Sequence, residues 1–296
     1  MRLSSALKTG LVAAALFFGW TGLVYGGAAT NINGLYYTGV NNTYGLLGGG
    51  TTDPHWTVTY ANVNGTSGNT TYQGPAYVVN GGNIDPGWVQ NTGSAQWIVP
   101  PGASPTSAGG STNTGGDYLP GNGTSGVNAA SYTYTLAFQI SGSGPVGSAV
   151  TNNVSISLTI ASDDQYSIYV NPNLNGNGSV RTGSSTLAGS RTNAWNNTTS
   201  IYLQNFTDAN GTANANFKIG TNYITVVVDN TNSTTGTSGS NALNPSGLLV
   251  YQVGAAMTIN GNPVPEVGTW LPVVGALGIF VVRRFRPRKS TAASVG

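Results

Sequence analysis

Alternation of apolar and polar positions dominates the chain between residues 30 and 260. Tyr132, Tyr134, Leu136, Phe138 and Ile140 share one face at a period of two. After the turn Gly142-Ser143-Gly144-Pro145, the residues Val154, Ile156, Leu158 and Ile160 repeat the pattern. Asp163-Asp164-Gln165 reads as a tight turn into Tyr166, Ile168 and Val170. Trp56, Val58 and Tyr60 form a shorter version, with all three expected on one face. Further strands are predicted at Asn33–Val40, Ala76–Asn80, Ala95–Val99, Ile201–Leu203, Phe217–Ile219 and Leu248–Val253. Tyr223 to Val228 is apolar on both faces, which suits a central strand covered on two sides. Gly, Pro, Asn, Ser and Thr fill the gaps, and residues 101–126 read as a long surface loop or soft boundary. Sustained helical periodicity is missing from this body. The prediction is an all-β, jelly-roll-like β-sandwich ectodomain.

The two ends follow a different pattern. Arg2 and Lys8 precede an apolar run from Leu11 to Val24, and Gly27-Ala28-Ala29 supplies small residues for cleavage, so residues 1–29 read as a signal peptide. At the other end Leu271 to Val282 is apolar all round. Twelve helical residues reach about 18 Å against roughly 30 Å of bilayer core, so the span must draw in its neighbours. A transmembrane helix is expected at about 268–283. Arg283, Arg284 and Arg286 then stop it at the cytoplasmic side, because basic residues stay inside. The expected division is 1–29 signal peptide, 30–260 ectodomain, 261–289 tail with its helix, and 290–296 cytoplasmic tail.

Val264-Pro265-Glu266, Gly268-Thr269-Trp270, the short apolar span and the arginine cluster together resemble the PEP-CTERM sorting domain of exported proteins in Gram-negative bacteria. The resemblance covers residues 264–289. Val267 stands where that family usually carries a second proline. It implies transient anchoring in the inner membrane, cutting near Pro265-Glu266 by an exosortase-type processing enzyme, and release to the cell surface or extracellular matrix. A looser resemblance covers most of 33–254. Leu35-Tyr36-Tyr37, Asp53-Pro54-His55-Trp56, Trp97-Ile98-Val99-Pro100, Ser162-Asp163-Asp164 and Asn244-Pro245-Ser246-Gly247 are similar to segments of galactose-binding-like sandwiches.

Charge narrows the function classes. The formal charge of the whole chain is +2, but seven of its ten basic residues lie in the two ends. The body keeps Arg181, Arg191 and Lys218 against seven aspartates, a net of −4. Such a body has no basic face for phosphates, so nucleic-acid binding is not expected. Cysteine is absent, which leaves a packed core as the source of stability.

Glutamate is missing from the body, and His55 is the single histidine. The paired carboxylates of a glycosidase and the partners of a triad are therefore lacking, and a non-enzymatic protein is expected. No cofactor is expected beyond a candidate Ca²⁺ at Asp163 and Asp164, whose alternative role is to brace a turn. His55, beside Pro54 and Trp56, is expected to pack where its strand begins. Trp88 and Trp195, in loops rich in Asn and Gly, are candidate carbohydrate-binding residues, with loop packing as the alternative. Trp56 and Trp97 are expected in the core. The reading is an exported surface or matrix protein that associates with exopolysaccharide. A carbohydrate-active enzyme or accessory, and a purely structural biofilm or adhesion protein, stand beside it as alternatives.

Overall fold

The computed structural model describes residues 26–63, 66–79, 84, 87–101, 130–192, 194–207, 209, 211–230, 246–259 and 262–263. The sorting motif at Val264, Pro265, Glu266, Gly268, Thr269 and Trp270, the membrane stop and most of the leader lie outside the described residues. Among the described residues no helix is long and apolar enough to cross a membrane.

The regular structure is almost wholly strand. The strands are β1 (Ala29–Asn33), β2 (Thr52–Val63), β3 (Thr66–Ser67), β4 (Gly74–Val78), β5 (Ile98–Val99), β6 (Ala130–Gly142) and β7 (Asn153–Asp163). They continue as β8 (Gln165–Val170), β9 (Leu187–Arg191), β10 (Thr199–Gln204), β11 (Gly220–Asn230), β12 (Gly247–Ile259) and β13 (Asn262–Pro263). They build one large antiparallel sheet in the order β10-β7-β12-β5-β4-β2-β6-β11-β8-β9. β1 is added on β6, β3 on β2 and β13 on β12. The sheet curls until its end strands meet. Asn214 Nδ2 donates to Ala188 O on β9 at 3.1 Å and to Tyr202 O on β10 at 2.8 Å.

The curl encloses the core that the alternation marks out. Tyr132, Tyr134, Leu136, Phe138 and Ile140 of β6 point inward against Val154, Ile156, Leu158 and Ile160 of β7, with Tyr166, Ile168 and Val170 of β8. Each such side chain contributes about 1.5–3 kcal/mol by leaving water. A second cluster forms where β5 joins β4 and β12: Val79, Trp88, Trp97, Val99 and Leu249. The Trp88 and Trp97 rings lie 4.2 Å apart. Gly247 makes room for them, since a Cβ there would stand 3.1 Å from both rings.

Polar pins in the interior are mostly uncharged. Gln96 Nε2 donates to Gly39 O and Leu47 O at 2.9 and 2.8 Å. Asn222 holds Lys218 N and O and Gly220 O. Asn152 clamps the N-terminal segment: its Oδ1 accepts from Ala29 N at 2.6 Å and its Nδ2 donates to Ala29 O at 3.1 Å. Just before, Gly27 N donates to Ala149 O, Thr151 N to Gly27 O and Ser143 N to Ala28 O, all at 3.0 Å. The chain is therefore woven into the sheet from Gly27 onward.

Several predicted elements differ. The first strand is Ala29–Asn33, earlier than the predicted Asn33–Val40. Gly34 and Gly39, at φ of 84° and 72°, turn the later segment away from a sheet path, and Gly39 N is taken by Asp53 Oδ2 at 2.7 Å. Around Phe217–Ile219 only a single bridge forms, between Lys218 and Ala149. β9 was not predicted, because its sequence Leu-Ala-Gly-Ser-Arg carries no apolar alternation. The Asp163-Asp164-Gln165 turn exists, but β7 and β8 do not pair there. β7 pairs with β10 and β12, whereas β8 pairs with β11 and β9.

Candidate functional site

Among the described residues, one concave feature is built by a defect in β2. Val58 stands opposite Tyr134, but Tyr60 stands opposite Thr133, so Thr59 is an extra residue in the ladder. This β-bulge reverses the facing of everything after it. Ala61 and Val63 turn into the core, and Tyr60 turns out of it. The expectation that Trp56, Val58 and Tyr60 share a face is thereby corrected. Thr59 is itself held, its hydroxyl lying 3.1 Å from that of Thr135.

Tyr60 becomes one wall of a hollow of about 250 Å³ on the outer face of the sheet. The floor comes from the outward positions of three neighbouring strands: Ser131 and Thr133 on β6, Val227 and Asp229 on β11, Ser167 and Tyr169 on β8. Their register explains the grouping. Asp229 lies opposite Ser131, and Val227 lies between Thr133 and Ser167.

The loop after β8 forms the roof with Ser179, Val180 and Thr182. Its tip reaches across to β2 and β3, where Asn177 Nδ2 donates to Ser67 Oγ at 3.1 Å. The same Ser67 hydroxyl sits 2.9 Å from that of Tyr60, which fixes the wall. Gly178, at φ 87°, lets the tip approach Thr59 O; a Cβ there would stand 3.0 Å from it.

The electrostatics are simple. Among the described residues neither Lys nor Arg lines the hollow, and Asp229 is its one carboxylic acid. Burial pushes the Tyr169 phenol above its ordinary pKa of 10.0; Ser167 draws it down and the Asp229 charge pushes it up again. The Tyr169 hydroxyl therefore stays protonated at neutral pH, beside a carboxylate and a serine. A second, more open hollow of about 460 Å³ shares Ser167 and runs along β8 and β9 past Arg191. The Arg191 guanidinium there is tied to Thr198 O at 3.1 Å and to the Thr199 hydroxyl.

The residues singled out in the sequence lie elsewhere. Trp88 is 5% exposed and packs on Trp97, so its ring offers no free face to a sugar, and the carbohydrate role expected of it is corrected to core packing. Trp195 is half-buried against the same cluster, and its carbonyl accepts from Val89 N at 2.9 Å. Asp163 is buried and Asp164 half-buried. Ala194 N donates to Asp164 O at 2.8 Å, so Asp164 and Trp195 are brought to one end of the second cluster. Among the described residues no three His, Cys, Asp or Glu side chains come together to hold a metal.

Trp56 and Trp97 are core, as expected. His55 stacks on Tyr36 with centroids 3.5 Å apart, in keeping with packing where its strand begins. Burial lowers its pKa, against smaller upward effects from Asp53 and the Asn41 backbone. Tyr60 is placed by the sequence on the inward face, and Tyr169 and Asp229 are not singled out by it. Their one readable signal was the run of hydroxyl and acid residues at the outward positions of β6, β8 and β11.

No family model matches the chain, and no curated protein matches it. Among solved structures, the cysteine protease and lectin-like domains of Cwp84, a surface-layer-associated protein of Clostridium difficile, are 18% identical over 48% of this chain, with a TM-score of 0.23. A variant of the clostridial cysteine protease Cwp84, after propeptide cleavage, is 17% identical over 47% of this chain, with a TM-score of 0.18. The chain spans 30% and 37% of the length of these two.

Proposed function

We propose that the protein is an exported, non-enzymatic β protein sorted by its C-terminal tail and destined for the cell surface or extracellular matrix, where it associates with exopolysaccharide. In this reading the curled sheet is a flattened, jelly-roll-like sandwich, and a helix at about 268–283 holds it in the inner membrane. An exosortase-type enzyme then cuts near Pro265-Glu266.

The observation that carries the reading is the order at the C-terminus: Val264-Pro265-Glu266, then an apolar span, then Arg283, Arg284 and Arg286. The net charge of −4 and the absence of cysteine in the body are compatible with it. In this reading the leader is cut near Ala29, and Gly26, just before the residues whose backbone bonds tie the N-terminus down, offers a further small residue for the cut.

Cell fractionation tests the proposal. The wild type is expected in the medium or surface fraction without its tail, and the Pro265→Ala, Glu266→Ala double variant is expected to stay full-length in the inner membrane. Equal release of the two, or a soluble cytosolic full-length chain, overturns it.

A further inference from the structure

We infer that the hollow between β2, β6, β11, β8 and the loop after β8 is a binding site for a single neutral sugar ring. The inference rests on the surface-destined reading above and gives it a ligand. Three observations converge.

The first is construction. The wall residue Tyr60 is turned outward only because Thr59 is inserted in the ladder, and its hydroxyl is then pinned by Ser67, which also anchors the roof through Asn177. Bulges re-aim side chains in this way beside binding sites. A strand that merely closed a core would gain nothing from turning a tyrosine out of it.

The second is the chemistry of the lining. Ser131 and Ser167, both half-buried, supply hydroxyls that both donate and accept, and Tyr169 keeps its proton. A carboxylate such as that of Asp229 can accept from two donors at once, in the stronger, charge-assisted bonds. A ring of secondary hydroxyls, each able to donate and accept, matches that set, while the half-buried side chain of Val227 meets its C–H face. With one acid and no cation among the described lining residues, phosphates and uronates are repelled. Lipid chains and flat apolar ligands would leave the floor hydroxyls unpaired.

The third is size. About 250 Å³ falls just below the roughly 300 Å³ at which ligand clefts usually begin. That admits one ring and not a chain, so the site takes a terminal or side-branch sugar of a polymer.

The test uses the protein released into the medium, or the full chain in detergent, in NMR saturation-transfer and titration experiments. The probes are free glucose, galactose, mannose and N-acetylglucosamine, with sodium glucuronate as the charged control. At least one neutral sugar is expected to show saturation transfer and a saturable, weak affinity, and glucuronate to show none. Asp229→Asn is isosteric and is expected to weaken that affinity about tenfold or more, through loss of the charge-assisted bonds. If that variant fails to fold, Ser131→Met, which fills the floor, is expected to abolish binding. Tyr223→Ser, on an exposed part of β11, serves as the unaffected control. Absence of transfer from all four sugars overturns the inference. So does binding unchanged in both hollow variants, or glucuronate bound as well as the neutral sugars. None of these readouts depends on the tail, so failure here and failure of the sorting proposal are separable.

Discussion

At the scale of single residues, Asp53 and His55 show how a nearly uncharged body uses its few charges. The Asp53 carboxylate is buried at 1% exposure and accepts from Gly39 N at 2.7 Å, His55 N at 2.8 Å and Trp56 N at 3.0 Å. It thereby fixes the start of β2 and the Gly39 turn together. Removing it leaves three backbone donors without their acceptor, at about 1–3 kcal/mol for each that stays buried. Asp53→Ala is expected to lose about 3 kcal/mol or more, read as a lower denaturant midpoint at unchanged slope.

His55 sets a pH dependence. Its folded pKa lies below the ordinary 6.5, so the unfolded chain takes up the proton first as pH falls. Stability is therefore complete above about 6.5 and declines as the pH drops through the lowered folded value. Asp53, whose pKa burial raises above 3.8 against three backbone hydrogen bonds, works in the opposite sense: its contribution is complete below 3.8 and is lost as pH rises through its folded value. Denaturant midpoints at pH 7.5 and 5.5 are expected to fall on acidification in the wild type. In His55→Phe, which keeps a ring for Tyr36 to stack on, that fall is expected to disappear.

At the scale of elements, β1 and its approach make the sharpest case. The segment Gly27–Ala29 is held by three backbone bonds and by the paired clamp of Asn152. A chain expressed from Thr30 loses all of these and strands the buried Asn152 amide. At roughly 1 kcal/mol per bond it is expected to be less stable than a chain from Gly27 by about 3 kcal/mol or more, measurable as a lower melting temperature.

Comparing these elements with the sequence shows what a pattern can carry. The inward faces of β6, β7 and β8 were legible because period two is a local rule and nothing interrupts it there. Tyr60 was misread because one inserted residue at Thr59 inverts the rule, and only pairing with β6 reveals the insertion. Trp88 was left between sugar contact and packing because its burial depends on Trp97 and on Gly247, the latter far along the chain. The hollow escaped notice because its members lie on four strands and one loop. Its roof is a loop that no alternation marks, and only the bond from Asn177 to Ser67 ties that loop across the floor.

At the scale of the whole molecule, an open sheet of this length would present two unpaired rims, each a template for another chain. Curling brings β9 and β10 together, and the forked amide of Asn214 spans the gap between them. The junction is made by a side chain and not by a ladder, so the sheet is curled and not closed. The two ends are thus set against each other, which narrows the room a neighbouring copy would have to lie alongside either of them.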